Sequence, residues 1–235
     1  YMRDTLGDAG YIKAFGEILA EVMRSDLPRV RPAAPARKKP GDGSVPVSDR
    51  ACPQVQPGLY YVKYHPLGGD PAPDKFRALC LAMQDIPECE LRVSPDQTVY
   101  AVNLTGREAD RIAALTADGA RTAFEASVSC VGAAVCQIGL RDSHGLLMRL
   151  IEMERRNGFA DGVLPVVHLS GCVSSCGAHQ VWPLAFRGSA SIDGKAAFLL
   201  YLNGSHAEGR EQLGEEVGAI LEDEVPVFLE TVGRT

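Results

Sequence analysis

The sequence predicts an α+β chain in two parts: a small β-α-β-β-α unit over residues 58–120, then a mixed α/β region over residues 121–235. Three observations predict it. Short runs rich in β-branched and aromatic residues alternate with stretches of helical spacing. A proline-rich stretch, residues 30–57, separates all of this from an amphipathic segment at the start. The second part carries four cysteines in two glycine-flanked pairs, C-x5-C-x35-C-x3-C.

In chain order, Asp8 to Asp26 reads as a helix, with Tyr11, Ile12, Phe15, Ile18, Leu19, Val22 and Met23 on one face. Periodicity does not say what that stripe packs against. From Val30 to Gly58, Pro32, Pro35, Pro40, Pro46, Pro53 and Pro57 read as a linker, and Arg37-Lys38-Lys39 as a solvated basic run. Tyr60 to Tyr64 reads as a strand and Pro73 to Gln84 as a helix burying Phe76, Leu79, Cys80 and Met83. Glu90–Val93 and Thr98–Leu104 form a hairpin around Ser94-Pro95-Asp96-Gln97. Thr105 then caps a helix holding Ala109, Ile112, Ala113 and Leu115. That order is a ferredoxin-like half unit. In the second part, Ser143 to Arg156 is a helix stopped at Asn157-Gly158. Pro165 to Leu169 is a buried strand leading to Gly171-Cys172. Leu184–Ser191 and Ala196–Asn203 pair through a turn at Asp193-Gly194, and Glu222–Val232 closes the chain as a short helix.

With 235 residues, 46% of them hydrophobic and 23% charged, the chain has the composition of an ordinary globular protein. Net charge −6 supplies no general electrostatic footprint for nucleic acid. The Tyr60, Tyr61 and Tyr64 group reads as strand packing rather than a stacking platform. No apolar run approaches the roughly 20 residues a membrane helix needs. Seven cysteines, an odd number in a chain this size, argue for a reducing compartment, hence the cytoplasm, and for metal ligation over disulfides. No signal peptide is visible, and the opening Tyr1 suggests a piece of a longer chain.

Cys130, Cys136, Cys172 and Cys176 carry the chemistry. Four thiolates on turns, with Gly132, Gly171 and Gly177 letting the backbone pass close, suit an iron–sulfur cluster, whose four corner irons each take one soft anionic ligand. Zinc fits less well, since its structural sites favour shorter C-x2-4-C knuckles. Four buried free thiols are the plain alternative. Cys52, Cys80 and Cys89 read as bystanders.

These pairs, together with Cys176-Gly177-Ala178-His179-Gln180, Phe186-Arg187-Gly188, Leu202-Asn203-Gly204 and Leu91-Arg92-Val93-Ser94-Pro95-Asp96-Gln97, resemble the siroheme-containing nitrite and sulfite reductases. The resemblance covers most of the chain from Gly58 onward and, more loosely, the first twenty-five residues. It implies that the four cysteines bind a [4Fe–4S] cluster and that Cys176 also bridges to the siroheme iron. Electrons would then pass from cluster to siroheme in the six-electron reduction of sulfite to sulfide or nitrite to ammonia. Ser129, Gly132, Gly171 and Gly177 become candidate donors to cluster sulfurs. Arg92, Gln97, Arg141, His179 and Arg187, with Gly177, become candidate siroheme contacts, because its carboxylates call for cations.

The family's small sheet domain occurs twice and only one copy is present. The resemblance therefore implies a C-terminal half, with residues 1–29 ending a preceding half that supplies the substrate-binding cations. It implies as partners that missing half, a small anion and an electron donor such as ferredoxin or a flavin-containing subunit. Val173 and Ser174 stand where the family often has Pro and Asn, which puts the tuning of the cluster in question. A non-catalytic iron–sulfur electron-transfer or sensing module, without siroheme, is the alternative reading.

Overall fold

The structure, a computed structural model, describes residues 2–24 and 39–235. The chain divides into two units, residues 1–37 and 38–235. In the first, α1 (Met2–Arg24) is broken at Gly7, whose φ of 68° and ψ of 169° are not helical. The regular helix therefore begins at Asp8, as the sequence reading has it, while Asp26 lies outside the described residues. So does most of the Arg37-Lys38-Lys39 run. None of the described residues of α1 is buried.

The second unit opens with a segment laid along a helix. The Asp110 carboxylate accepts the Val47 and Ser48 N–H groups at 2.9 and 2.8 Å, and Lys39 pairs with Glu108. A four-stranded antiparallel sheet follows, built from β1 (Ala51–Pro53), β2 (Tyr60–Tyr64), β3 (Glu90–Val93) and β4 (Val99–Leu104) in the order β1-β2-β4-β3. β1 lies within the stretch read from sequence as linker. Its three residues are too few and too exposed to show a pattern. Helices α2 (Pro73–Gln84) and α3 (Gly106–Leu115) cover one face of this sheet. Along β2 the alternation sends Val62 and Tyr64 into the core with Leu79, Leu104 and Ile112. Thr105 caps α3 in a reciprocal capping box with Glu108.

A five-stranded mixed sheet forms the rest, in the sequential order β5 (Val128–Ser129), β6 (His168–Ser170), β7 (Leu184–Gly188), β8 (Ala197–Leu202) and β9 (Glu215–Leu221). β5, β6 and β7 run parallel, and β8 and β9 return antiparallel. Helix α4 (Ser143–Asn157) crosses between β5 and β6, and α5 (Val225–Arg234) packs beside it. Leu146, Leu147, Leu150, Leu169, Phe186, Phe198 and Leu229 meet in the core between helices and sheet. The β7–β8 connection turns at Asp193-Gly194 with φ of 49° and 77°, the positive pair a tight hairpin needs. β9 is absent from the sequence reading because most of its residues are exposed and leave no alternation to read. Among the described residues no helix is long and apolar enough to cross a membrane.

One ion pair anchors the loop that leads into β5. The Glu125 side chain is 3% exposed and takes the Arg155 Nε of α4 at 2.6 Å. It also accepts the Arg121 N–H at 2.6 Å. Burial alone would push Glu125 up, but these donors outweigh it and hold its pKa below the ordinary value. Arg155→Ala is therefore expected to cost about 2 kcal/mol, reduced from the buried-pair range because the arginine is half exposed. A depressed folded pKa stabilises above the unfolded pKa and loses that contribution as pH falls through the folded value. The wild-type minus variant difference in urea midpoint should be full at pH 7 and shrink below about pH 4. Taking this difference also limits interference from neighbouring Glu154, whose pKa burial raises and whose contribution runs the opposite way.

Candidate functional site

The two cysteine pairs grow from the C-terminal ends of adjacent parallel strands. Cys130 follows β5 and Cys172 lies two residues beyond β6. In open sheets this is where ligands collect. Parallel pairing of Ser129 with Leu169 continues into a Cys130 N–H bond to the Leu169 carbonyl at 3.1 Å. The C-x5-C loop then folds back on itself, Cys136 N–H donating to the Gly132 carbonyl at 2.8 Å. The Gly171 carbonyl accepts the N–H groups of Leu140 and Arg141 at 3.1 and 3.0 Å, which braces the first loop against the second. Gly188 at the end of β7 packs beneath, where a Cβ would stand 2.3 Å from that same carbonyl.

All four cysteines line one cavity of about 270 Å³, together with Gln97, Gly132, Gly171 and Ser174. Cys172 is buried, Cys130 and Cys136 are half-buried and Cys176 is exposed, and none forms a disulfide. Among the described residues no three His, Cys, Asp or Glu side chains converge as ligands of one metal ion. The thiols surround a space instead. Exposed Val131 and Ile138 also line the cavity.

Two polar groups stand beside the Cys130 sulfur. The Gly171 N–H points at that sulfur at 3.1 Å, and the Ser143 hydroxyl, first residue of α4, lies 3.0 Å away. The Ser143 hydroxyl also donates to the Cys130 carbonyl at 3.1 Å. Gly171 is one of the four residues the sequence reading offered as donors to cluster sulfurs. Ser143 was not singled out there, although Asp142-Ser143 carries a legible helix-start signal that places its hydroxyl beside the loop. Gly177 donates to the Ser170 hydroxyl at 3.1 Å rather than to a sulfur. The buried Ser129 offers its carbonyl to Gln97 Nε2 at 2.7 Å.

The other sequence-predicted residues divide. Gln97 comes to the cavity on the β3–β4 turn, in a left-handed conformation of φ 65°. Arg141 sits beyond the first loop, its guanidinium on the Leu140 carbonyl and Ser191 hydroxyl, both at 2.9 Å. Arg187 leaves β7 toward Glu216 at 3.4 Å and lies over the Tyr201 ring. His179 is buried edge-on to the same ring at 5.0 Å. Burial, then the Arg187 charge, brings its pKa down to about 4, so it is neutral at physiological pH. Arg92 is not at the cavity. It pairs with Glu90 at 2.8 Å and lines a groove with Tyr61 and Tyr100 on the small sheet.

Buried polar atoms are normally partnered, and each exception asks for an explanation. Among the described residues the unpartnered buried atoms include Gln97 Oε1, Ser129 Oγ, Arg141 Nε, His179 Nδ1 and Arg187 Nε. Five of the eight such atoms among the described residues belong to residues singled out from sequence as neighbours of a cofactor; the other three are His65 Nε2, Glu154 Oε2 and His168 Nε2.

No family model matches the sequence, and no curated protein does. Solved structures do match. The NirA protein of Mycobacterium tuberculosis superposes with a TM-score of 0.68 over 99% of this chain at 20% identity. The chain thus has the NirA fold, an α+β architecture, and spans 43% of that protein's length. Dissimilatory sulfite reductase I (DsrI) aligns more distantly, with a TM-score of 0.44 over 57% of this chain and 34% of that one at 12% identity.

Proposed function

We propose that the chain is the cluster-bearing half of a siroheme-dependent reductase acting on sulfite or nitrite. The observation that carries this reading is the single cavity ringed by Cys130, Cys136, Cys172 and Cys176, on a NirA-like fold. When bound, a [4Fe–4S] cluster would supply one-electron transfer and siroheme an iron centre for multi-electron reduction of a small anion.

In this reading the chain's own residues hold and orient. The four thiolates would hold the cluster, and Cys176, the exposed one, would be the thiolate shared with siroheme. Gly171 N–H and the Ser143 hydroxyl sit within hydrogen-bonding reach of the Cys130 sulfur, contacts that raise a cluster's potential. Arg141 and Arg187 each keep a buried Nε without a partner, and in this reading they would meet a siroheme carboxylate. Arg92 would have to give up Glu90 to do the same. Neutral His179 and Gln97 supply polar edges rather than charge. In this reading the cations that grip the anion belong to a preceding half.

The test is iron, sulfide and zinc analysis of the chain after anaerobic reconstitution. About four irons and four sulfides per chain, with no zinc, are expected. Zinc in their place would replace the redox reading with a structural one. The chain alone should bind siroheme weakly, because in this reading a preceding half supplies the rest of its contacts. Tight one-to-one siroheme in the isolated chain would contradict the two-half reading, while a cluster-only full-length protein would favour the electron-transfer alternative.

A further inference from the structure

We infer that His168 and Ser170 are positioning residues that clamp the peptide following Cys176 and so set where that thiolate stands. The inference rests on the cluster reading above. On β6 side chains alternate, so Leu169 enters the core with α4 while His168 and Ser170 share the opposite face. The Gly177 main chain lies against that face and is held at both of its polar groups. Its N–H donates to Ser170 Oγ at 3.1 Å, and its carbonyl meets His168 Nδ1 at 2.8 Å. Both clamp residues are buried, at 5% and 1% exposure.

The carbonyl can only accept, so Nδ1 carries the imidazole proton, which fixes the tautomer. The ring plane is fixed too. Trp182 stacks on His168 with centroids 3.9 Å apart and 14° between planes, and His206 stacks on the far side of Trp182 at 4.8 Å. The indole Nε1 is anchored on the Val166 carbonyl at 2.8 Å. A rigid donor held this way does for a cysteine turn what outer-shell partners do for metal-bound imidazoles, whose loss typically costs about 10–100-fold in metal affinity or activity.

The clamp is tested with three variants. His168→Phe keeps an aromatic ring against Trp182 and removes the donor. His168→Asn restores a donor near the Nδ1 position, and Ser170→Ala opens the other side. In the metal-free chain, Gly177 amide exchange should speed up in Ser170→Ala and His168→Phe but not in His168→Asn. After reconstitution, the first two should lose cluster absorbance in air about tenfold faster and shift the electron paramagnetic resonance of the reduced cluster. His168→Asn should stay within about twofold of wild type. Unchanged exchange in both Ser170→Ala and His168→Phe overturns the clamp. So does retention equal to wild type in both. If the wild-type chain takes up no cluster, the cluster reading fails by itself, and the exchange rates still decide the clamp.

Discussion

Cys176→Ala is expected to reduce iron loading from about four per chain to less than about one, while serine at Cys52, Cys80 or Cys89 leaves loading unchanged. The contrast follows from where the seven thiols lie. Cys130, Cys136, Cys172 and Cys176 share the walls of one cavity. Cys52 lies on edge strand β1 opposite Tyr61, Cys80 on α2, and Cys89 has its thiol on the Met83 carbonyl at 3.0 Å. A cluster with three protein thiolates keeps one corner iron open, and Cys176 is exposed, so solvent reaches that iron. Iron and acid-labile sulfide, measured after anaerobic reconstitution, give the result directly. Full loading of Cys176→Ala would remove that residue from the ligand set and with it the proposed shared thiolate. Loss of loading in Cys89→Ser would mean that the small sheet contributes a ligand.

Much of this architecture was written in patterns the sequence makes visible. Pro73–Gln84 and Tyr60–Tyr64 have the bounds their periodicity gives, because a buried stripe and a strand with Val62 and Tyr64 turned inward leave strong signals. The Thr105 capping box and the Gly158 stop, with φ of 64°, are local chemistry and equally legible. The strands that escaped are β1 and β9, edges with little burial where no alternation is imposed, and β5, whose two buried residues are too few to show a pattern. The linker reading of residues 39–57 fails for a related reason. That segment is held by main-chain bonds to Asp110 and by Gly106 packing on the Ser44 carbonyl, and neither contact leaves a mark on its own composition. At the site, the meeting of the four cysteines in one cavity was foreshadowed by their paired spacing, which is a sequence property. Which arginine faces which acid is not. Arg92 and Arg187 read alike in sequence, yet one engages Glu90 two residues away and the other Glu216 across two strands.

Gly177→Ala is expected to cost about 3 kcal/mol of stability and to prevent cluster assembly, although alanine is the smallest side chain available. The reason is space. A Cβ there would stand 2.1 Å from the Leu169 carbonyl oxygen. That oxygen cannot retreat, since it already accepts the Cys130 N–H and belongs to a strand paired on both sides. Pushing it away strains the start of the first cysteine loop, and pushing Gly177 away opens the grip of His168 and Ser170 on the second. One methyl group therefore disturbs both pairs of thiols. Gly158→Ala supplies the comparison. Its Cβ would meet nothing within 4 Å, so only the left-handed backbone resists, at about 1 kcal/mol. Urea midpoints should order wild type above Gly158→Ala above Gly177→Ala, and only the last should fail to take up iron. Equal loading in Gly177→Ala and wild type would show that the turn after Cys176 can shift without moving the thiolate. The packing between β6 and the second cysteine loop would then have no part in holding the cluster.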